Sequence, residues 1–407
     1  MTTVRQKLAT LQFIILAGSL LVVLTGCGEA VRGTPEPGAT PADISTLRTG
    51  PFKTDPISFS LKPGLDEPVQ VRLVEGRRLL NYLIMPLDID AELRIQGKTS
   101  VFATESGMPA IQGFQDSHRR VIKDNVRFIA GVVSHQSNGS VRTPKGMTVS
   151  VLQFESSQES LRAAIELDQI SMDTGQRNHL SVPGAPNAKT TISADLQIDS
   201  WQQHGDYVIG VSAKFQSATV EETAKKVSLA LDTQITALNR QRPVPLDDVL
   251  DQPLDSENIV RRSTLPDQRD SLSNTDDFGL FQPSGIVHFE RNPAEARRIF
   301  EESGVDLIGR RASTVYRARD LAAAFQLQTF LATKGRHDMM LDPPLGIMDA
   351  QCVRFDAEDN RGHNAMCALV SGRYVAVVTA KSLGYGQYDQ DLQERAAAQY
   401  AILRKCE

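Results

Sequence analysis

Apolar positions along this chain change their spacing in the same order twice. Val151-Leu152-Gln153-Phe154 is a short run of strand formers, and Leu161-Arg162-Ala163-Ala164-Ile165-Glu166-Leu167 follows it with apolar residues three and four apart. Thr314-Val315-Tyr316 leads in the same way into Leu321-Ala322-Ala323-Ala324-Phe325-Gln326-Leu327. The first spacing predicts a strand and the second an amphipathic helix. Further on, Asp206-Tyr207-Val208-Ile209-Gly210-Val211 corresponds to Arg373-Tyr374-Val375-Ala376-Val377-Val378, each a strand-forming run. Gln234-Ile235-Thr236-Ala237-Leu238 corresponds to Gln399-Tyr400-Ala401-Ile402-Leu403, late in helices expected to begin near Val220 and Asp389. The order strand, helix, strands, helix therefore occurs twice. Strands that follow one another through short turns favour antiparallel pairing. The expected fold is α+β: two related units, each an antiparallel sheet with helices packed on one face, and not a doubly wound parallel sheet.

The units are expected over residues 54–240 and 279–407. Residues 241–278, rich in Pro, Asp, Ser and Asn and without sustained periodicity, read as a linker lying along the surface between two independently compact bodies.

The first residues have a different pattern. Arg5 and Lys7, with no acid, precede an apolar run over residues 8–24 that Thr10, Gln12, Gly18 and Ser19 interrupt. This is the basic and apolar layout of a secretory signal, and its apolar core is shorter than the roughly 20 residues of a spanning helix. Leu24-Thr25-Gly26-Cys27 resembles the bacterial lipobox, which implies cleavage before Cys27 and attachment of diacylglycerol to its thiol. Two or three acyl chains anchor stably where one binds marginally. Residues 1–26 are thus expected as a lipoprotein signal peptide, and residues 27–53, with their small, polar and Pro-rich start, as a flexible tether. The expected location is the extracytoplasmic face of the cell membrane.

Glu75-Gly76-Arg77-Arg78-Leu79-Leu80 with Pro86-Leu87-Asp88-Ile89-Asp90, the run at 161–167, Gly372-Arg373-Tyr374-Val375-Ala376 and Ala397-Ala398-Gln399-Tyr400-Ala401-Ile402-Leu403 carry a resemblance. Over nearly all of the mature chain the sequence resembles an uncharacterised lipoprotein family of mycolate-containing actinobacteria. These motifs are structural, so the resemblance implies a fold and a location and brings no activity with it. A fainter likeness links the second unit to cysteine-paired extracellular sensor domains of actinobacterial kinases, by analogy alone.

With Cys27 assigned to lipid, Cys352, Cys367 and Cys406 remain in a compartment that permits disulfides. A turn centred on Asp359 and Asn360 places Cys352 and Cys367 opposite each other across a hairpin, within disulfide reach, and leaves Cys406 over. Asp356, Glu358 and Asn360 alternate as in a calcium loop. Arg361 stands where that loop needs glycine, so a solvated hairpin tip is the better reading.

Composition and motifs exclude more than they select. The formal net charge of −5 over 407 residues lacks the basic footprint of a nucleic-acid binder. The chain has no Gly-x-Ser-x-Gly elbow, no His-Glu-x-x-His, no Cys-x-x-Cys, and no glycine-rich phosphate loop or dinucleotide fingerprint. No cofactor is implied. His288-Phe289-Glu290 would put an imidazole and a carboxylate on one side of a strand, and Trp201 stands among polar residues, so these three are the candidate ligand contacts. The run Leu321, Phe325, Leu327, Phe330 reads as core that could also line a lipid cleft. Two functions survive. One is a non-catalytic binding or interaction protein of the cell envelope, holding a lipid, glycan or protein partner. The other is an envelope hydrolase whose active site gathers residues distant in sequence, such as His288, Glu290 or His337.

Overall fold

The computed structural model describes residues 41–59, 67–173, 176–241, 248, 254–266, 275–359, 361–382 and 386–407. The expected signal peptide and Cys27 lie outside them. In the first half, helix α1 (Glu67–Leu80) precedes β1 (Ile95–Phe102), and the short α2 (Arg119–Lys123) leads to β2 (Phe128–Ser137) and β3 (Lys145–Phe154). Helix α3 (Ser157–Asp173) follows, then β4 (Arg177–His179), β5 (Lys189–Ser193), β6 (Ile198–His204), β7 (Tyr207–Phe215) and α4 (Val220–Leu238). The second half has β8 (Gly279–Phe281), α5 (Pro283–Ile286), α6 (Pro293–Glu302), β9 (Leu307–Arg310), β10 (Ser313–Arg317) and α7 (Leu321–Leu331). It ends with β11 (Met339–Leu341), β12 (Gln351–Arg354), β13 (Ala365–Ser371), β14 (Tyr374–Ala380) and α8 (Gln390–Lys405).

The helices begin where capping chemistry starts them. Thr219 and Glu222 close a capping box on α4, and Asp320 and Asp389 each accept a first-turn backbone N–H at the starts of α7 and α8.

Among the described residues both sheets have seven strands and are antiparallel throughout. Their orders are β1-β2-β3-β7-β6-β5-β4 and β8-β9-β10-β14-β13-β12-β11, the same topology strand for strand. The repeat expected from the spacing of apolar residues is therefore complete. The helices are shared between the two faces of each sheet, where one covered face was expected. In the second half α8 packs on Val315, Cys367, Ala376 and Val378, while Ala332, at the end of α7, packs with Met366 and Ala368 on the opposite face. The unbroken apolar run Ala365-Met366-Cys367-Ala368-Leu369-Val370 is the signature of a strand buried on both sides.

Residues 42–407 form one compact unit, which corrects the expectation of two independent bodies. Leu73, Leu79 and Leu80 of α1 belong to one apolar cluster with Ile286, Phe300 and Leu327 of the second half. Polar contacts follow the same route: Thr99 donates to the carbonyl of His288 at 2.5 Å, and Arg297 pairs with Asp88 at 2.9 Å. Helix α1 thus belongs structurally to both halves.

Two boundary expectations also change. Within the expected linker Ile259 and Val260 are buried in the second core, and Thr264 N–H donates to Gln399 at 3.0 Å. Two adjacent branched apolar residues suffice to fold a polar stretch onto the sheet. The expected tether to residue 53 is likewise too long. Ala42, Ile44 and Leu47 pack against the second core, and Ala42 N–H donates to the Tyr400 hydroxyl at 3.3 Å. Among the described residues no helix is long and apolar enough to cross a membrane.

Candidate functional site

The face of the second sheet that α8 leaves open carries a cavity of about 450 Å³. Alternation along the strands supplies its floor: Arg310 of β9, Thr314 and Tyr316 of β10, Val377 and Thr379 of β14. Phe330 and Leu331 at the end of α7 and Met366 of β13 give it an apolar wall. The opposite wall is Phe289, Glu290 and Arg291, with Arg361 and His363 entering from the turn after β12.

The electrostatics of the cavity turn on one carboxylate. Asp277 is buried, and Arg310 and Arg361 reach the same oxygen of it at 3.2 and 3.1 Å. Burial works to raise the Asp277 carboxyl, but the two guanidiniums hold it below the usual range. Two guanidiniums share one oxygen of Asp277, and Glu290 is the second carboxyl beside Arg310. Arg310 also lies 4.5 Å over the Phe289 ring, and Arg291 lies 3.9 Å over Phe355 while donating to the neutral carbonyl of Ala357.

Beside them Tyr316 donates to Glu290 at 2.6 Å. Burial pushes the Glu290 carboxyl up, against the phenol and Arg310. Burial and Glu290 together push the Tyr316 phenol well above its ordinary value, so it stays a donor. Thr379 and the His363 ring are 2.8 Å apart, the spacing of a nucleophile and its base. The same contact occurs between Thr148 and His135 at 3.0 Å, directly paired across β2 and β3, where it serves the sheet alone. Among the described residues no three His, Cys, Asp or Glu side chains converge on a metal position.

The candidates read from the sequence separate on this framework. Glu290 lines the cavity. His288 does not: residues Val287–Phe289 form a 3-10 turn instead of a strand, and positions two apart on a helical turn do not share a side. His288 is 1% exposed and its Nε2 bonds the Leu83 carbonyl at 3.0 Å. Trp201 is a core residue of β6, 2% exposed, with Nε1 donating to Ser171 at 3.2 Å and its ring edge-on to Phe114. It does not line the cavity. His337 is exposed in the turn after α7 and does not line the cavity. Of the helical stripe, Leu327 is core and Phe330 reaches the cavity. Cys352 and Cys367 form the expected disulfide as a directly paired couple on β12 and β13, with Cα atoms 4.1 Å apart. Asn360, half of the expected turn centre, lies outside the described residues. Cys406 is the free cysteine among the described residues. The reading of the sequence missed Arg310, Arg361 and Tyr316. Arg310-Arg311 beside a strand was the available signal.

No curated protein resembles the chain at a significant level. Among solved structures the chain is similar to the crystal structure of the extracellular domain of PknH from Mycobacterium tuberculosis. Identity is 11%, over 45% of this chain and 100% of that one, with a TM-score of 0.30. Residues 63–254 match the N-terminal model, and residues 259–405 the C-terminal model, of a domain of unknown function, DUF7373. The two matches meet between the two sheets and together take in nearly all of the folded chain, which therefore belongs to the DUF7373 family.

Proposed function

We propose that this chain is an exported lipoprotein, held at the outer face of the cell membrane by lipid on Cys27, whose folded part binds an envelope ligand without transforming it. The ligand class that fits is a small amphiphile with an acidic head. The observation that carries this is the cavity itself, with Arg310 and Arg361 sharing the single carboxylate of Asp277 next to the apolar wall of Phe330, Leu331 and Met366. A cavity of several hundred Å³ with convergent polar groups at one end is the usual form of a small-molecule site. The anchor rests on the basic, apolar and Leu24-Thr25-Gly26-Cys27 sequence.

Native mass spectrometry of the full-length protein in neutral detergent tests the reading. Titration with lysophosphatidylglycerol is expected to give a one-to-one adduct that lysophosphatidylcholine forms much more weakly. Val377→Trp, which fills the cavity, is expected to abolish it. Equal adducts with both lipids, or an adduct that survives Val377→Trp, would remove the assignment. Ester hydrolysis lost in Thr379→Val would favour the envelope hydrolase instead.

A further inference from the structure

Among the large apolar side chains exposed in the described residues, Met339, Met340, Leu345, Met348 and Tyr388 belong to one edge of the second sheet. Met339 and Met340 lie on the edge strand β11, and the loop after it exposes Leu345 (71%) and Met348 (73%). The loop is built and not loose: Ile347 between them is buried in the second core, Ile347 N–H bonds Pro344, and Gln328 holds the carbonyl of Asp349 at 2.8 Å. Tyr388 is exposed beside it, since Asp342 N–H bonds the carbonyl of Gln387 at 2.9 Å. Anchoring Ile347 inward fixes Leu345 and Met348 outward. Singly scattered apolar residues need no account, but a held cluster does.

The turn that enters this edge carries two exposed bases. Lys334 and Arg336 are exposed in the turn that enters β11 and have no ion-pair partner among the described residues. Asp338 in the same turn accepts from the N–H groups of Gly335 and Asp356, and Asp342 and Asp356 are the exposed acids nearby. The chain also enters the folded body here. A Cβ on Gly346 would lie 3.3 Å from Leu47, and Arg48 follows it in the open. Fourteen residues lie between Cys27 and Ala42, at most about 50 Å of extended chain, so a lipid on Cys27 keeps this edge within reach of the bilayer surface.

We propose that this edge is a membrane-docking surface: Leu345 and Met348 enter the head-group region of an anionic bilayer, with Lys334 and Arg336 on its phosphates. Aliphatic side chains on a protruding loop, an aromatic flank and unpaired basic residues are the composition that binds such an interface. The inference rests on the reading that lipid on Cys27 brings the chain to a membrane. It adds an orientation, in which the turn at 333–338, bordering the cavity through Thr333, faces the lipid.

Methionine oxidation reads the docking directly. The mature chain, tethered by an N-terminal histidine tag to nickel-chelating vesicles of phosphatidylglycerol, is treated with chloramine-T, and sulfoxides are located by peptide mass. The tag makes the result independent of natural acylation, which the mass of the native N-terminal peptide tests by itself. Oxidation of Met340 and Met348 is expected to slow about fivefold or more on these vesicles relative to the chain in solution, with the partly exposed Met172 unchanged. The double variant Lys334→Glu, Arg336→Glu is expected to lose most of that protection. Equal rates on vesicles and in solution overturn the proposal. So does protection without vesicles that grows with protein concentration, since a second copy of the chain would then cover the edge.

Discussion

Thr190 and Ser200 hydrogen-bond at 2.7 Å across β5 and β6, at the positions of the first sheet that Cys352 and Cys367 hold in the second. The register proves the correspondence: Ser200 pairs with Thr190 and Val211, and Cys367 pairs with Cys352 and Val378. One half closes this buried couple with two hydroxyls and the other with a covalent bond. Replacing Cys352 and Cys367 by serine should therefore preserve the fold and cost about 3 kcal/mol, the chain-entropy value for a loop of 15 residues. A lower urea midpoint with the native far-ultraviolet dichroism unchanged checks this. Thr190→Cys with Ser200→Cys should in turn oxidise to a second disulfide, found by peptide mapping. Failure to cross-link would mean that the halves differ at this couple.

Strand and helix order was legible because strand-forming runs and three-and-four spacing are local, and the disulfide because a hairpin turns sequence distance into register. What was not legible is which surfaces meet. Arg77 and Gly279 lie in different halves, and no period encodes their contact. His288 misled because Ile286-Val287-His288-Phe289 is composed of strand formers, while Pro283 and Gly285 start a helical turn that tertiary packing completes. Trp201 stands between Ser200 and Gln202, so polar neighbours on a strand concealed a ring directed into the core. At the cavity Glu290 was singled out, and Phe330 was noted as part of a core stripe. Arg310, Tyr316 and Met366 come from separate strands and meet only in the folded sheet.

Interlocked halves should unfold together. The buried guanidinium of Arg77 lies under Gly279, whose φ is +142°, and a Cβ there would fall 2.6 Å from Arg77 Nε. Gly279→Ala is expected to cost more than about 2 kcal/mol from backbone strain and overlap combined. Trp201, the only tryptophan, reports the first half by fluorescence, and far-ultraviolet dichroism reports both. The two urea transitions should coincide in the wild-type protein and shift together in the variant. A fluorescence midpoint unaffected by Gly279→Ala would show that the first half stands alone.

The proposed anchor makes a separate prediction. Cys27→Ala should leave the precursor uncut at residue 26 and abolish acyl labelling, with the folded part unchanged in thermal stability. Normal acylation of that variant would end the lipoprotein reading, whatever the cavity binds.

His288 sets a pH limit on the contact between the halves. Burial pushes its imidazole down to about 4 from an ordinary 6.5, against the hydrogen bond to the Leu83 carbonyl that favours the charged ring. The folded protein therefore keeps a neutral ring between these values while the unfolded chain takes up a proton. The unfolded state binds more protons, so this group's contribution to stability falls as pH falls from about 6.5 toward 4 and is constant above that window. At pH 5 the linkage amounts to about 2 kcal/mol relative to pH 7. Buried carboxyls whose pKa is raised, Glu290 among them, act in the opposite direction, so the absolute pH profile does not isolate His288. The difference between wild type and His288→Gln does, because glutamine keeps an N–H for Leu83 but does not titrate. Urea midpoints measured for both proteins at pH 7, 6 and 5 should show the wild type losing ground to the variant at each step. A constant difference across that range would mean that the ring binds protons alike in the folded and unfolded protein, and so is not held neutral by burial.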